Sequence, residues 1–292
     1  YANALVEKKQ IEMDDVVLSE SKFSSQWVEK ERYRKLKPNG FPNRLIAKVN
    51  FLNGSLNNAL NPAEKGKMKR QHSPKQFPKI VDGYSGKGLE LDGDAWLDLD
   101  RIGVFKRNQT FSIGLRIYIP EELKNGVIFH KNTGTRLYNY RGFHLALNDN
   151  KLEAMLAHFW PDNAIVELSD VEVPKNKWIQ LTMTYDGSSK ARGLKIYLDG
   201  EELNTKVEVD NLYKDIIYKQ KIEPGLQIGA RWRGKGIGGA VVDDILVFTK
   251  KLTALGVIQI SNPNKFQGII NKSIEELTKP EEETLKGYYI SN

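Results

Sequence analysis

The stretch Trp178-Ile179-Gln180-Leu181-Thr182-Met183-Thr184-Tyr185-Asp186-Gly187 alternates apolar and polar residues and ends on a turn dipeptide. Ile179, Leu181, Met183 and Tyr185 fall on one side, with Gln180, Thr182 and Thr184 on the other. A period of two is the mark of a strand with one face in a core. Leu194, Ile196 and Leu198 repeat the pattern, and Asp199-Gly200 closes it as a hairpin-type turn. Upstream, Phe111, Ile113, Leu115, Ile117 and Ile119 alternate with Ser112, Gly114, Arg116 and Tyr118. Further strands are expected at 45–52, 127–130, 142–147 and 152–159. Many short strands with no helices between them point to a sandwich, jelly roll or barrel. The expectation is an all-β fold, a two-sheet antiparallel jelly-roll sandwich, with one sheet curved around a concave face.

Further upstream, Gly86 to Leu99 carries Leu89 and Leu91, then Asp92-Gly93, then Trp96. This predicts a hairpin of two half-buried strands. Trp96 and Trp178 sit within strand patterns and are expected in the core. Glu90, Asp92 and Asp94 recur at period two and could share one face. Retaining glycosidases set two carboxylates about 5 Å apart across the sugar. Asp94 is a methylene shorter than the Glu usual in such a strand, and Gly93 turns the chain between the acids. The stretch is either a lectin-like strand with an acidic turn or a catalytic strand.

The two ends differ in style. Residues 1–37 lack Gly and Pro, and Ser19 to Lys37 reads as an amphipathic helix with Phe23 and Trp27 on one face, stopped at Pro38-Asn39-Gly40. Near the other end, Ser273 to Leu277 looks helical. Thr278 is an N-cap candidate before Pro280 and Glu281, with Leu285, Tyr288 and Tyr289 as an apolar face. The expected division is a helical arm over 1–40, the sandwich over 41–262 and a helical tail over 263–292.

Composition narrows the function classes. The chain has 292 residues and no cysteine, so disulfides, thiolate metal sites and cysteine nucleophiles are excluded. No apolar run approaches the roughly 20 residues of a membrane helix. The chain starts at Tyr1 with no signal peptide, as expected of a mature form or a fragment. The net charge is +7. Its densest basic run, Lys65, Lys67, Lys69, Arg70, Lys75 and Lys79, is broken by Gly66, Pro74 and Pro78, which predicts a solvated loop rather than a nucleic-acid surface. Gly234, Gly236 and Gly239 match G-x-G-x-x-G, but a strand pattern follows where a dinucleotide fold needs a helix. The four histidines show no zinc spacing. His144 alternates with Phe143 and Leu145, so it faces away from the core.

Gly88 to Asp94 resembles the opening strand of laminin-G-like, concanavalin A-like domains. Lys177-Trp178 with Thr182 to Gly187 is similar to their W-x-x-L-T-x-T-Y-D-G strand and turn, and Lys195 to Gly200 to their K-x-Y-x-D-G strand. Gln227-Ile228-Gly229, Gly238-Gly239-Ala240 and Asp243-Asp244-Ile245 follow in order, with Asp244 where Glu is usual, and Leu252-Thr253 closes the pattern. A narrower resemblance, carried by 157–165, 186–194 and 279–289, is to the laminin-G-like segment of large exported planctomycete- and Bacteroidetes-type proteins with cytochrome-c-like domains. It implies a bacterial periplasmic, cell-surface or secreted location, polysaccharide-related work, and flanking domains of a parent polypeptide. The resemblance also implies a structural calcium at Asp243, with a hydrogen-bonded rim carboxylate as the other reading.

Sugars offer apolar C–H faces and hydroxyl rims, so their sites pair aromatic rings with polar groups. Trp160 lies in Trp160-Pro161-Asp162-Asn163, beside His158. Trp232 lies between Arg231 and Arg233. Tyr138 and Tyr140 flank Asn139 and precede Arg141. Trp160, His158, Asn163, Arg231, Trp232, Tyr138 and Arg141 are the candidate ligand-binding residues. The expected function is a non-catalytic carbohydrate-binding or interaction module, with no nucleic acid bound and no membrane insertion. The alternatives are a scaffold domain packed between helical neighbours, and a glycoside hydrolase using Glu90, Asp92 and Asp94.

Overall fold

A computed structural model of the chain describes residues 19–70, 78–132, 140–218, 224–231 and 235–292. These form two compact units, one of Arg44–Lys251 and one built from the stretches on either side, up to Asn43 and from Leu252 to Asn292.

The first unit is the sandwich. Its strands are β1 (Leu45–Val49), β2 (Lys67–Arg70), β3 (Lys79–Asp82), β4 (Lys87–Glu90), β5 (Ala95–Asp98), β6 (Phe111–Tyr118), β7 (Gly126–Asn132) and β8 (Gly142–Asn148). They continue with β9 (Lys151–Phe159), β10 (Asn163–Glu172), β11 (Trp178–Tyr185), β12 (Leu194–Leu198), β13 (Glu201–Glu202), β14 (Thr205–Asp210), β15 (Gln227–Ile228) and β16 (Val241–Phe248). Sheet A runs β13-β12-β11-β6-β16-β4-β3, and β1 also pairs with β16. Sheet B runs β14-β10-β9-β8-β7-β15-β5-β2. The fold is an antiparallel two-sheet jelly roll. One core fills the space between the sheets, from Ile113, Leu115 and Ile117 on one side to Phe143, Leu145 and Leu156 on the other.

The Tyr-Asp-Gly motif has a packing reason. Tyr185 is fully buried against Phe111. Its hydroxyl donates to the carbonyl of Arg107 at 2.7 Å and accepts from the amide of Ser189 at 2.7 Å. A buried phenol thus has both hydrogen-bonding roles met. Asp199 and Gly200 both take positive φ, the backbone of a two-residue hairpin turn, and join β12 to β13.

Four expectations change. Gly86–Leu99 is not a hairpin: β4 pairs with β3 and β16 in sheet A, whereas β5 pairs with β2 and β15 in sheet B. Asp92-Gly93 therefore carries the chain from one sheet to the other. Part of the basic run is also ordered, because Lys67–Arg70 is the edge strand of sheet B. Lysines suit such an edge, since they oppose pairing with another chain. Trp96 is buried as expected, though on the outer face of its sheet, whereas Trp178 is half-buried and outside the core. Leu97 and Ile179 face inward, so strand parity turns both indoles outward; Trp178 packs edge-on against Tyr84 and Tyr118. The first strand ends at Val49, where Phe51 turns to positive φ.

The second unit has its own core. It contains helix α1 over 19–29, a 3-10 turn at Arg32–Lys35, and helices α2 (Ala254–Ser261), α3 (Pro263–Asn271) and α4 (Lys279–Ser291). Val28, Tyr33, Leu255, Phe266, Ile270, Leu285 and Tyr288 meet at its centre. The first helix stops well short of Lys37, and its buried side carries Val28 rather than the exposed Phe23. Thr278 caps α4 with a capping box completed by Glu281. No helix among the described residues is long and apolar enough to cross a membrane.

Candidate functional site

One row of side chains crosses the outer face of sheet B in register. It runs Asp98, Gln227, His130, His144, Met155, Val166 and Val209, from β5 to β14. The β5 end is polar: Lys69 pairs with Asp98 at 2.6 Å, and Gln227 donates to the same carboxylate at 3.3 Å. The β14 end is apolar, where Met155, Ala157, Ala164 and Val166 form a small cluster against Tyr140 and Val209. The two chemistries meet at His144.

His144 faces outward, as its alternation implies, but it is buried. Its Nε2 donates to Glu153 Oε1 at 2.9 Å, and Asn148 donates to the other oxygen at 2.9 Å. Its Nδ1 accepts from Arg231 Nη1 at 3.1 Å. These partners select the neutral tautomer with the proton on Nε2. Burial lowers the pKa of His144, and the Arg231 charge adds to that, so at neutral pH the contact with Glu153 is a hydrogen bond rather than an ion pair. For Glu153, burial alone pushes the pKa up. The bond from His144 and the charges around it win, and the carboxyl is held below its ordinary value. His130, opposite His144, is pulled down to about 3 by burial, with Arg231 adding to the effect. Its Nε2 donates to the carbonyl of Ala230 at 2.9 Å.

At the apolar end, Tyr140 joins the candidate residues. The Arg231 guanidinium lies 4.6 Å from the centre of the Tyr140 ring, within cation–π range. Trp160 meets Tyr140 edge to face with centroids 6.2 Å apart. Trp160 is 44% exposed, an unusual state for an indole fixed by a neighbouring ring. The chain around Tyr140 is set by Gly142. Its φ is 130°, and a Cβ there would lie 1.7 Å from the carbonyl oxygen of Lys131.

The other candidates fall into neighbouring roles. Arg141 donates through Nη2 to His158 Nε2 at 3.0 Å and through Nε to the His158 carbonyl at 3.2 Å. His158 Nδ1 in turn donates to the Asp215 carbonyl at 2.6 Å. His158 therefore orients Arg141. Asn163 is buried, and its Oδ1 accepts from the amides of Tyr213 and Lys214, pinning that segment to β10. Tyr138 and Trp232 lie outside the described residues. The sequence reading missed Glu153 and His130; Glu153 sits between Leu152 and Ala154 in the middle of a strand, which was the available signal.

Asp243 is fully buried at a bulge in β16. Its carboxylate accepts from the amides of Ser85 at 3.1 Å and Asp244 at 2.7 Å. Burial raises its pKa, and these amides pull the other way. Backbone N–H groups aimed at the carboxylate fit the hydrogen-bonded rim role better than a calcium site, which needs oxygen ligands gathered around a cation. Two acids of the triplet have different structural places. Glu90 lies in sheet A beside Val241, while Asp92 Oδ1 caps the crossover by accepting from the amides of Asp94 and Ala95.

A family model described as the concanavalin A-like lectin/glucanases superfamily matches residues 91–257. That is more than half of the chain, and the chain belongs to this superfamily. No curated protein matches it. Among solved structures, Domain 4 of AbnA, a GH43 extracellular arabinanase from Geobacillus stearothermophilus in complex with arabinotriose, is similar at 18% identity with TM-score 0.52, covering 75% of this chain and 98% of that one. The binding domain of Paraclostridial Mosquitocidal Protein 1 is similar at 15% identity with TM-score 0.54, covering 75% and 52%. The botulinum neurotoxin serotype G binding domain is similar at 14% identity with TM-score 0.51, covering 74% and 50%. The chain spans about half the length of these toxin domains. At such identities the likeness is one of fold.

Proposed function

We propose that the sandwich is a non-catalytic carbohydrate-binding module of an exported protein, and that the ligand stacks on Trp160. The observation that carries this reading is the exposed Trp160 indole held edge-on by Tyr140, with Arg231 on the Tyr140 ring. An indole face gives a pyranose or furanose ring an apolar surface, and the adjacent guanidinium gives its hydroxyls a donor. Asp92, whose Oδ1 accepts from the amides of Asp94 and Ala95, serves the crossover, which favours binding over hydrolysis by that triplet. Two fold neighbours supply context: the arabinanase domain was solved with arabinotriose, and entry of neurotoxin type C depends on two ganglioside molecules. The test is a glycan array with the full chain, followed by affinity electrophoresis of Trp160→Ala. Binding that survives Trp160→Ala unchanged, or no binding across a broad panel, refutes the reading.

A further inference from the structure

We infer that sheet A carries a second saccharide site, for a neutral sugar, in a corner formed by Tyr84 and Trp178. The inference extends the glycan reading above to the other sheet and stands on residues that take no part in the Trp160 site. Ile117, Ile179 and Leu115 face the core, so strand parity turns Tyr118, Trp178 and Arg116 to the outer face of sheet A. Tyr84, in the turn between β3 and β4, lies over Arg116, whose guanidinium carbon is 3.8 Å from the centre of the ring. The Arg116 side chain is 12% exposed and Tyr84 is 50% exposed. The guanidinium is therefore beneath the ring, and the opposite face of the ring is the open one. Trp178 meets Tyr84 at 6.0 Å with the planes 70° apart, and Tyr118 stands against Trp178 at 6.3 Å and 61°. Tyr84 makes a floor and Trp178 a wall.

The turn that presents Tyr84 is fixed. The Gly83 amide donates to the Gly86 carbonyl at 2.9 Å, and the Ser85 amide donates to Asp243 Oδ2 at 3.1 Å. The turn sits so close to that buried carboxylate that a Cβ on Gly83 would lie 2.7 Å from Asp243 Oδ2. A ring held this way loses little freedom when a ligand stacks on it. The rim selects the ligand. The Arg116 charge faces Asp244 at 4.0 Å and is covered by the Tyr84 ring. The Tyr118 hydroxyl donates to Asn176 Oδ1 at 3.5 Å, and Asn176 Nδ2 donates to Glu121 Oε2 at 3.0 Å. Lys177, next in the chain, is exposed and of opposite sign to Glu121, so neither sign dominates this edge. Two ring faces set at an angle, bordered by a hydroxyl and an amide, match the C–H face and hydroxyl edge of an uncharged pyranose. Tyr140 of the first site packs on the outer face of sheet B. The two sites thus lie on the outer faces of different sheets, and each takes its own length of polysaccharide.

The test runs the full chain through native gels containing laminarin, xyloglucan, galactomannan or debranched arabinan. On at least one of these, Tyr84→Ala is expected to weaken binding about tenfold, through the lost stacking surface and the lost second attachment. Tyr84→Phe, which keeps the ring, binds as the natural chain does, and Tyr84→Ala with Trp160→Ala binds nothing. Calorimetry with an oligosaccharide of the retarding polysaccharide gives two sites per natural chain and one in each single variant, and melting curves establish that the variants are folded. Tyr84→Ala binding with the affinity and stoichiometry of the natural chain, or Tyr84→Phe as weak as Tyr84→Ala, overturns the inference and leaves the Trp160 reading standing. Binding lost in Tyr84→Ala and untouched in Trp160→Ala overturns the Trp160 reading and supports the sheet A site. No retardation in any of the four gels overturns both.

Discussion

Arg231 donates to Nδ1 of His144 at 3.1 Å, so a guanidinium is fixed by a neutral ring on the outer face of a sheet. The bond links the polar half of sheet B to the aromatic pair at its apolar end. It also makes the protonation of the histidine row a structural matter.

That row should make stability depend on pH. His130 has a folded pKa of about 3, below its unfolded value near 6.5. Below pH 6.5 the unfolded chain takes up a proton that the folded chain refuses until about pH 3, so stability is complete above 6.5 and falls as the pH drops through that window. At about 1.4 kcal/mol per unit, the loss by pH 4 is of the order of a few kcal/mol. Urea melts at pH 7 and pH 4.5 should show a smaller difference for His130→Gln than for the natural chain. An equal difference in both would mean that other groups govern the acid limb.

Trp160→Ala should separate binding from stability. The indole is partly exposed and touches one ring edge-on, so its removal should cost no more than about 1 kcal/mol in a chemical melt. Retained ligand affected only at the level of error would contradict the assigned role.

Gly142→Ala should be severe. The new Cβ would collide with the Lys131 carbonyl oxygen, which belongs to a strand and has little room to yield. We expect a loss above about 2 kcal/mol, together with weakened ligand binding, because Tyr140 and Arg141 precede this residue. A variant as stable as the parent would show that β8 can shift at no cost.

Asp243→Ala should also destabilise the sandwich, by about 1–3 kcal/mol, because it leaves the amides that the carboxylate serves without an acceptor. The melting temperature of the natural chain should not move on chelation with EDTA or on adding calcium. A rise of several degrees with calcium would restore the metal reading for Asp243.

Hydrolysis by the acidic triplet should be absent. Reducing-sugar assays on a polysaccharide panel are expected to show no release that Glu90→Gln removes. Release lost in that variant would revive the glycanase alternative.

How far the sequence was legible varies by residue. Alternation located β6, β11 and β12, and the parity that buried Ile179 and Leu97 also determined that Trp178 and Trp96 face outward. Trp96 is nonetheless buried on that outer face, so the expectation of a core place fails for Trp178 alone, where bulk was given more weight than position. Asp92-Gly93 has the local chemistry of a hairpin turn, and the same chemistry serves a crossing between sheets. Nothing local distinguishes the two, because the difference lies in which distant strands, β16 or β2, pair with each side. The Trp160 loop was visible as an aromatic among polar residues. Its partner Tyr140 was visible only as a neighbour of Arg141, since the contact joins residues on either side of β8 and β9.

The sequence by itself determined the strongly alternating strands β6, β11 and β12, their inward faces and the superfamily, because these follow from period-two patterning and short motifs within single segments. Only the tertiary structure decided that Gly86–Leu99 passes between sheets, that His130 and His144 lie side by side in one buried row with Glu153 hydrogen-bonded to His144, and that Arg231 reaches Tyr140. Each of these depends on strand register between distant segments, and register is set by the packing of the whole core rather than by neighbours along the chain.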